Sequence, residues 1–456
     1  MKQTLTLLAL LLTPLAALRA ADIAKPNILY ILADDMGYAD PGFMGSKDLR
    51  TPHLDQIAKG GTILSSYYVQ PLCSPTRSTL MTGRLVSHTG VYSVVQPNAP
   101  WGLPLAERTL PQALREAGYE TAIVGKWHLG EYQPDYLPTH RGFDHQYGLW
   151  FGNIDYFTHM RQNKPDWHRD DQPLEEEGYA TTLIGKEACR IIRERNPAKP
   201  LFLYLPFNAV HAPHQVPDSY TEPFKTLPKL RMTYAGMVAA MDEAIGEVIA
   251  ALDEAKIRDN TLIIFSSDNG GSKPGKISDN GPLRAGKGTI YEGGIRVCAA
   301  VNWPGHIPAG KTVSEPLHGI DWYPTLLKLA GASAEQKLPV DGKDIWPVLT
   351  AGAKTPHESL LLCGTHPNVR AVRSGDWKLL MGASDRDAEE ASGENQIPSG
   401  AQLYNLADDL GEKHDLAKTN PEKVKVLLTE MNRLMKDAVA PGDGSGSTKK
   451  KSKAKK

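Results

Sequence analysis

Short apolar runs alternate with segments of helical pattern through the first three quarters of the chain. The runs predict buried strands, and the helical segments between them predict helices that cover the strands. This alternation is typical of an α/β fold in which a large, mostly parallel sheet lies between helices. The predicted strands cover residues 27–33, 121–124, 201–205, 261–266 and 295–301. The order of these strands in the sheet stays open.

Helix boundary signals fall between the predicted strands. One predicted helix opens at Thr51 and runs to Lys59, a second opens at Thr109 and ends at Gly118, and a long third covers 231–255. In the first two, a proline follows within two residues of the threonine, where its missing N–H costs nothing. Strands and helices therefore alternate along this part of the chain.

The pattern changes from about His357. Short strands separated by turns are predicted there, followed by one helix, at 360–363, 370–373, 376–381 and 421–436. This pattern predicts a small antiparallel sheet covered by one helix. Residues 382–400 are polar with almost no apolar anchors, which predicts a mobile loop.

The first 20 residues have the pattern of an export signal. Lys2 supplies the charged start, residues 5–18 are apolar, and Ala20 closes a plausible cleavage site. An uncleaved anchor is the alternative, although the apolar stretch is short for a membrane-spanning helix. We therefore predict export to the periplasm or the extracellular space. The predicted parts are a signal peptide (1–20), a large α/β domain (21–355), a small α+β subdomain (356–440) and a Lys-rich tail (441–456).

Composition and charge narrow the class of protein. A chain of 456 residues with 41% apolar residues is ordinary for a soluble globular enzyme. Setting aside six tail lysines, Lys2 and Arg19 turns the formal charge from −1 to −9. An anionic substrate would therefore need a local cationic site. We expect neither a nucleic-acid partner nor stable membrane insertion, and we expect a flexible, solvated tail, with contact to polyanions as the alternative.

The four cysteines are Cys73, Cys189, Cys298 and Cys363. Four cysteines in a secreted chain of this size are too few for a disulfide framework. The chain has no C-x-x-C pair, which argues against a structural zinc site. If one cysteine is chemically special, at most one disulfide forms among the other three.

Acidic residues follow two of the predicted strands. Asp34 and Asp35 follow the first strand, and Asp268 and Asn269 follow the strand at 261–266. Ligands of open α/β sheets bind at the carboxyl ends of the strands. Carboxylate and amide oxygens suit Ca²⁺ or Mg²⁺. The two strand ends together predict an oxygen-rich metal site, whereas each pair alone also fits a solvated strand end or a turn.

Residues 73–84 read C-S-P-T-R-S-T-L-M-T-G-R. This segment matches the pattern C-x-P-[ST]-R-x-x-x-x-T-G at every specified position. It predicts the start of a helix, with Pro75 in the first turn and the thiol of Cys73 near the positive end of the helix dipole. Arg77 lies one turn later on the same face. A merely buried cysteine would not require that arginine.

On these residues the chain resembles the formylglycine-dependent sulfatases, which have the alkaline-phosphatase-like fold. R-T-P-H-L-D at 50–55, V-G-K-W-H-L-G at 124–130 and Y-A-G-M-V at 234–238 extend the likeness. Within the family, the chain is most similar to the arylsulfatase B type, the N-acetylgalactosamine-4-sulfatases. Other family positions are filled by Lys126, His128, His211 and Lys287. Each of these four also fits a solvated lysine or a satisfied core histidine when taken alone, and their joint occurrence in the expected order favours a site.

The resemblance implies cofactors and roles. Cys73 would be oxidised to formylglycine by a maturation enzyme, and a hydroxyl of the hydrated aldehyde would be the nucleophile. One Ca²⁺ would be bound by residue 73 and by Asp34, Asp35, Asp268 and Asn269. The sulfate would be held by Arg77, Lys126 and Lys287.

Proton transfers are implied for three residues. Asp268 would accept the proton of the attacking hydroxyl. His211, together with Lys287, would protonate the departing alcohol. His128 would then deprotonate the second hydroxyl of residue 73 so that the aldehyde reforms.

The predicted function is hydrolysis of sulfate esters on a sulfated carbohydrate, a glycosaminoglycan or an algal polysaccharide, with a 4-sulfated galactose or N-acetylgalactosamine unit as the first expectation. A phosphodiesterase or phosphonate monoester hydrolase of the same fold is the alternative. A non-catalytic binder of anionic glycans is another, if Cys73 is not oxidised. The aromatic-rich stretch at 132–167 fits either stacking on sugar rings or ordinary packing.

Overall fold

The computed structural model describes residues 25–383 and 400–442. The predicted signal peptide, most of the predicted mobile loop and the lysines of the tail lie outside the described residues. Within the described ranges, no helix combines the length and the apolar character needed to cross a membrane.

The described residues form nineteen strands. In chain order these are β1 (Asn27–Ala33), β2 (Thr62–Leu64), β3 (Tyr67–Tyr68), β4 (Glu120–Val124), β5 (His145–Gly148), β6 (Met160–Arg161), β7 (Lys164–Pro165), β8 (His168–Arg169), β9 (Gln172–Pro173), β10 (Leu201–Pro206), β11 (Thr261–Ser267), β12 (Arg296–Val297), β13 (Ala299–Asn302), β14 (Lys311–Val313), β15 (Leu317–His318), β16 (Leu360–Cys363), β17 (Arg370–Ser374), β18 (Trp377–Met381) and β19 (Ala401–Asn405).

Ten of these strands form one large sheet in the order β14-β2-β13-β11-β1-β10-β4-β5-β8-β9. Its centre, from β11 through β1, β10 and β4 to β5, is parallel. Antiparallel pairs flank this centre on both sides. The carboxyl ends of the five central strands therefore meet at one edge of the sheet.

Helices cover both faces of the large sheet. The α-helices are α1 (Pro52–Lys59), α2 (Cys73–Thr82), α3 (Val86–Thr89), α4 (Leu110–Glu116), α5 (Ala180–Glu194), α6 (Asp218–Thr221), α7 (Lys229–Glu254), α8 (Glu292–Ile295), α9 (Trp322–Leu329), α10 (Trp346–Ala351) and α11 (Pro421–Leu434). Side chains of α1, α5 and α7 pack in the core on one face, and those of α2, α4 and α9 pack on the other.

Alternation along β1 explains the two cores. Leu29, Ile31 and Ala33 belong to one core, and Tyr30 belongs with its even-numbered neighbours to the other. Successive side chains of a strand point to opposite faces, so a strand that is buried on both faces is apolar throughout. The continuous apolar runs in the sequence are therefore the central strands of the sheet.

The prediction of a single strand at 295–301 is wrong. Ile295 ends the short helix α8, β12 pairs with β3 in a separate small sheet, and β13 pairs antiparallel with β11. The run is apolar throughout because all of its pieces are buried, so its hydrophobicity carries no signal of the break. The other four predicted strands and the three predicted helices are present, with ends shifted by one or two residues.

The C-terminal part forms the predicted small antiparallel sheet. Its order is β16-β17-β18-β19, and α11 packs on one face through Leu427 and Met431. The fourth strand, β19, follows the polar segment and was not among the predicted strands. All four cysteines of the chain are buried and free, so none of them forms a disulfide.

Candidate active site

The acidic residues after β1 and β11 lie side by side. β1 and β11 pair in parallel register up to Ala33 and Ser267, so the next residues, Asp34 and Asp268, are neighbours. Asp35 adopts a left-handed backbone conformation with φ 62°, which turns its side chain relative to that of Asp34. Its N–H donates to Asp268 Oδ1 at 3.3 Å. Three buried carboxylates therefore share one edge of the sheet.

Helix α2 brings Cys73 to the same place. Leu72 is extended, the helix begins at Cys73, and all ten residues of the helix are buried. The thiol Sγ of Cys73 lies 3.6 Å from Asp34 Oδ1. Burial and the nearby charge of Asp34 raise the pKa of the Cys73 thiol far above its usual value. The unmodified cysteine is therefore protonated at neutral pH.

Arg77 ties the carboxylates together. Its guanidinium donates to Asp268 Oδ2 at 2.9 Å, to Asp34 Oδ2 at 3.2 Å and to the carbonyl oxygen of Lys126 at 2.8 Å. The side chain is completely buried. Arg77 therefore holds the side chains of Asp34 and Asp268 in place.

Lys126 and His128 follow β4. Lys126 Nζ donates to Asp34 Oδ2. His128 Nε2 lies 3.1 Å from the carbonyl oxygen of Val95, which makes Nε2 the protonated nitrogen, while the buried Nδ1 has no hydrogen-bond partner among the described residues. Burial and the charge of Lys126 hold the pKa of His128 well below its usual range. His128 is therefore neutral and presents a free acceptor nitrogen.

Gly152 lies against the imidazole ring of His128. A Cβ atom at this glycine would lie 2.6 Å from His128 Cε1, so a larger residue would displace the ring. The backbone N–H of His128 donates to the carbonyl oxygen of Trp150 at 3.0 Å. The segment at 150–152 therefore fixes the orientation of this histidine.

Lys287 and His211 lie together next to Asp35. Lys287 Nζ donates to Asp35 Oδ2 at 2.7 Å and lies 3.0 Å from His211 Nε2. His211 Nδ1 donates to the carbonyl oxygen of Ala212 at 2.6 Å, so Nε2 accepts from the lysine. Burial and the charge of Lys287 lower the pKa of His211 to about 3. The proton of this pair therefore resides on Lys287.

The donor set fits a hard divalent cation. Ligand atoms of Asp34, Asp35, Cys73 and His211 all lie within 4.8 Å of one another. The side-chain nitrogen of Asn269 donates to Asp35 Oδ1 at 2.7 Å, which leaves its oxygen Oδ1 buried without a partner. A buried amide oxygen without a donor is costly unless a cation occupies the space beside it. The site therefore has both the oxygen ligands and an unpaired ligand atom.

The carboxylates of Asp268 and Asp35 have pKa values that are shifted in opposite directions. Burial raises the pKa of Asp268 to about 6, and the charge of Asp34 adds to this effect. Burial also opposes ionisation of Asp35, but Lys287 and His211 outweigh it and hold the pKa of Asp35 well below its usual range. Asp35 is therefore a permanent anion, whereas Asp268 is a carboxylate that can exchange a proton near neutral pH.

Part of the aromatic-rich stretch at 132–167 belongs to the core. Tyr147 packs edge-on against Trp167 with ring centres 5.1 Å apart, and His159 stacks on Trp167 at 4.5 Å. Tyr132 and Phe157 are exposed, at 59% and 44%. The rings that are buried are those of Phe143, Tyr147, Tyr156 and Trp167, and the remaining Phe, Tyr and Trp rings of the stretch keep some exposed surface.

Two residues near the site were not predicted from the sequence. The carbonyl of Val95 orients His128, and no sequence pattern marks it because every residue has a carbonyl. Gln70 lies three residues before Cys73, and its buried amide contacts His318 Nε2 at 3.1 Å and accepts from the N–H of Cys363 at 3.2 Å. Its place just before the motif that begins at Cys73 is the signal in the sequence that points to Gln70.

A buried set of carboxylates, cations and histidines at the carboxyl edge of a parallel sheet fits a hydrolase whose substrate carries a negative charge. The chain belongs to the sulfatase family, whose model, described as Sulfatase, matches residues 26–332. It is a sulfuric ester hydrolase.

Individual relatives agree with this assignment. Arylsulfatase J of Mus musculus is 37% identical over 92% of this chain and 77% of its own length. N-acetylgalactosamine-6-sulfatase of Canis lupus familiaris is 36% identical over 81% of this chain and 74% of its own. The crystal structure of Ps i-CgsB in complex with k-i-k-neocarrahexaose has a TM-score of 0.84 and 36% identity, covering 92% and 94% of the two chains. The predicted alkaline-phosphatase-like architecture is confirmed, and the narrower likeness to arylsulfatase B stays a prediction.

Proposed function

We propose that the protein is an exported sulfatase of sulfated carbohydrates that uses Ca²⁺ and a formylglycine made from Cys73. Its substrate unit is a sulfated galactose or N-acetylgalactosamine, with the 4-sulfate as the first expectation. One observation carries the proposal. Three buried carboxylates face three buried cationic side chains around Cys73, while His128 Nδ1 and Asn269 Oδ1 are left without partners.

The environment of Cys73 argues against direct attack by a thiolate. Reactive cysteines have a lowered pKa in an electropositive setting. Burial and Asp34 raise the pKa of Cys73 instead. When oxidised and hydrated, residue 73 supplies an oxygen nucleophile for attack on sulfur.

The metal would be held by residue 73, Asp34, Asp35, Asp268 and the free oxygen of Asn269. When bound, Ca²⁺ supplies positive charge to the sulfuryl oxygens as negative charge develops on them. Lys126 donates to Asp34 and Lys287 donates to Asp35, so both ammonium groups lie beside carboxylates that would bind the metal. Together with Arg77, which donates to Asp34 and Asp268, they would hold the sulfate.

His128 suits the role of a base. It is neutral, its Nε2–H is occupied by Val95, and its Nδ1 carries a free lone pair in a buried site. A base in this state accepts a proton from a hydroxyl of residue 73 without first losing one of its own. Asp268, with a pKa of about 6, is the second proton acceptor.

The leaving alcohol is protonated by a pair of residues rather than by a histidine alone. Lys287 donates to His211 Nε2, and the pKa of His211 is lowered to about 3. Lys287 therefore carries the proton for the leaving alcohol, and His211 Nε2 holds the ammonium group in position. An alkoxide leaving group of a sugar needs such a proton, because its departure without one is slow.

The names of similar proteins support the substrate. One relative is crystallised with k-i-k-neocarrahexaose, and others are named N-acetylgalactosamine-6-sulfatase. The chain without its tail has a net negative charge, so an anionic sulfate would be recognised by the cationic side chains of the site rather than by the overall charge. The sulfate position is the finer part of the proposal.

Mass spectrometry of the peptide that contains residue 73 tests the mechanism. We expect an aldehyde in place of the thiol, and sulfate release should rise in proportion to the oxidised fraction. An enzyme that hydrolyses sulfate esters with an unmodified Cys73 contradicts the mechanism.

Defined oligosaccharides test the substrate. Matched galactose and N-acetylgalactosamine oligosaccharides that differ only in a 4-sulfate or a 6-sulfate should be compared by sulfate release. We expect the highest kcat/KM with a 4-sulfate. A preference for the 6-sulfate would contradict the proposed sulfate position. A preference for a sulfated fucose or glucosamine, tested in the same assay, would contradict the proposed sugar. Neither result would contradict the sulfatase mechanism.

A further inference from the structure

Asn208 lies at the carboxyl end of β10, between the last paired residue and His211. Leu205, Phe207 and Ala209 all pack in the core on one face of the sheet. The backbone that follows Asn208 contacts Asp34: the carbonyl oxygen of Ala209 accepts from the N–H of Asp34 at 2.9 Å, and the N–H of Val210 donates to the carbonyl oxygen of Asp34 at 2.7 Å. Asn208 therefore lies next to the end of β1 that carries the active site.

The carboxamide of Asn208 has no partner. The residue is 1% exposed, and neither Oδ1 nor Nδ2 makes a hydrogen bond within the described protein. Its backbone is anchored, because its carbonyl oxygen accepts from Tyr156 Oη at 2.6 Å and from the N–H of His211 at 3.1 Å. A buried amide with nothing to bond costs stability. A ligand that forms a hydrogen bond with this amide would remove that cost.

We propose that Asn208 is a substrate-binding residue whose Nδ2 donates a hydrogen bond to a non-bridging oxygen of the sulfuryl group. This inference rests on the proposed site around residue 73. The two unpaired groups already given roles there, Asn269 Oδ1 and His128 Nδ1, share the same condition of burial without a partner. A neutral donor adds direction to a site whose other donors are cations, because an amide N–H bonds along a defined line.

Inorganic sulfate, as an inhibitor of hydrolysis of nitrophenyl sulfate, is the probe. Asn208→Asp keeps the shape and removes the donor, and Asn208→Leu removes all hydrogen-bonding capacity. We expect the inhibition constant of sulfate to rise roughly ten- to hundredfold in both, and kcat/KM to fall by a similar factor, since a hydrogen bond to a charged group has this worth. Residue 73 should be oxidised to the same extent in each variant, as checked by mass spectrometry.

Thermal unfolding separates binding from a structural role. Asn208→Leu should raise the Tm of the free protein by about 1–2 °C, because a buried unpaired amide is replaced by an apolar group. Asn302 is the matched control, since it is also buried but its amide donates to the Ile57 carbonyl at 3.0 Å and accepts from Arg258. Asn302→Leu should lower the Tm and leave the inhibition constant of sulfate unchanged.

An unchanged inhibition constant in folded Asn208→Asp and Asn208→Leu overturns the inference. A lowered Tm in Asn208→Leu with unchanged sulfate binding does so as well, since the amide would then serve the fold. Wild-type enzyme that does not hydrolyse nitrophenyl sulfate, or that sulfate does not inhibit, would count against the proposed site itself.

Discussion

Among the buried charge clusters of the described residues, two invite comparison, and only one of these two is built like an active site. The first surrounds Cys73 at the carboxyl edge of the large sheet. The second, the Lys378 cluster, consists of Lys378, Glu292, Glu412 and Tyr68, and it lies where the C-terminal sheet meets the large domain. Both contain carboxylates and a lysine with almost no exposure. Burial and charge therefore do not distinguish function from support.

The Lys378 cluster is closed. Lys378 Nζ donates to Glu292 Oε1 at 2.9 Å and to Glu412 Oε1 at 2.8 Å. The second oxygen of Glu292 accepts from Tyr68 Oη at 2.7 Å, and that of Glu412 accepts from the N–H of Glu292 at 2.6 Å. Burial raises the pKa of Glu292, but Lys378 outweighs it and brings the value to about 2. Every carboxylate oxygen here has a protein partner.

The active-site cluster is open. His128 Nδ1, Asn269 Oδ1 and both polar atoms of the Asn208 side chain are buried without partners. Native proteins pair nearly all buried polar atoms, so each of these atoms is a candidate for contact with a ligand. The difference between the two clusters is that the charged groups around Cys73 lie beside unpaired polar atoms, whereas every carboxylate of the Lys378 cluster is paired.

Substituting the proposed nucleophile should have the largest effect on the open cluster. Cys73→Ala should reduce turnover of sulfate esters by about 10⁴-fold or more, as expected for loss of a nucleophile. Cys73→Ser should behave almost the same in a host that does not oxidise serine. Both are measured as sulfate release per folded enzyme.

The matched control for this substitution is Cys363→Ala, because Cys363 is equally buried but lies in the C-terminal sheet. It should keep its turnover and lose some stability to the small cavity. Near-native activity of Cys73→Ala would remove residue 73 from the mechanism.

Removing the metal comes next in size. Chelation should lower turnover by roughly 10³-fold, since a cation on the developing charge contributes several kcal/mol. Ca²⁺ should restore activity better than Mg²⁺, because Ca²⁺ accepts irregular sets of oxygen ligands and Mg²⁺ demands a regular octahedron. Metal content is measured beside activity, and full turnover by a metal-free enzyme would refute the assignment.

The two histidines should fail at different steps. His128→Ala should cleave the ester once and then stall, giving a burst of released alcohol equal to the enzyme concentration. His211→Ala should slow cleavage itself by about 10²–10³-fold with sugar substrates, without a burst. Nitrophenyl sulfate should reduce the defect of His211→Ala, because its phenolate leaves without a proton. A burst from His211→Ala alone would reverse the two roles.

Breaking the closed cluster should affect stability more than chemistry. Lys378→Met leaves buried Glu412 without its cation and Glu292 with Arg296 alone, which should cost about 3–5 kcal/mol in the free energy of unfolding. Turnover per folded molecule should change least among these variants. Chemical denaturation gives the first quantity and sulfate release the second. Lys186→Met, on the exposed side of α5, is the control and should change stability by less than about 0.5 kcal/mol.

If turnover per folded molecule of Lys378→Met fell as far as in the histidine variants, the Lys378 cluster would belong to the catalytic machinery. The route would be the loop at 284–292, which carries Lys287 and ends at Glu292. The comparison between a closed and an open cluster would then need to be redrawn.

Much of the site was predictable because its residues stand at positions that local patterns define. The apolar runs of β1 and β11 end at Asp34 and Asp268, and the motif that begins at Cys73 opens a helix. Each of these signals is local, since alternation, helix starts and strand ends depend on neighbouring residues. The break at 295–301 was not predictable, because buried pieces of different structure have the same hydrophobicity.

The sequence by itself determined the class of fold, the family and the residue types that gather at the edge of the sheet. Only the tertiary structure decided which atoms are paired. Lys287 and His211 are 76 residues apart, and their contact at 3.0 Å exists because β10 and a distant loop meet over Asp35. A hydrogen bond is gained or lost within about half an ångström. Residue identity fixes which groups can bond, but the packing of distant elements determines which of them, such as His128 Nδ1 and Asn208, are left for a ligand.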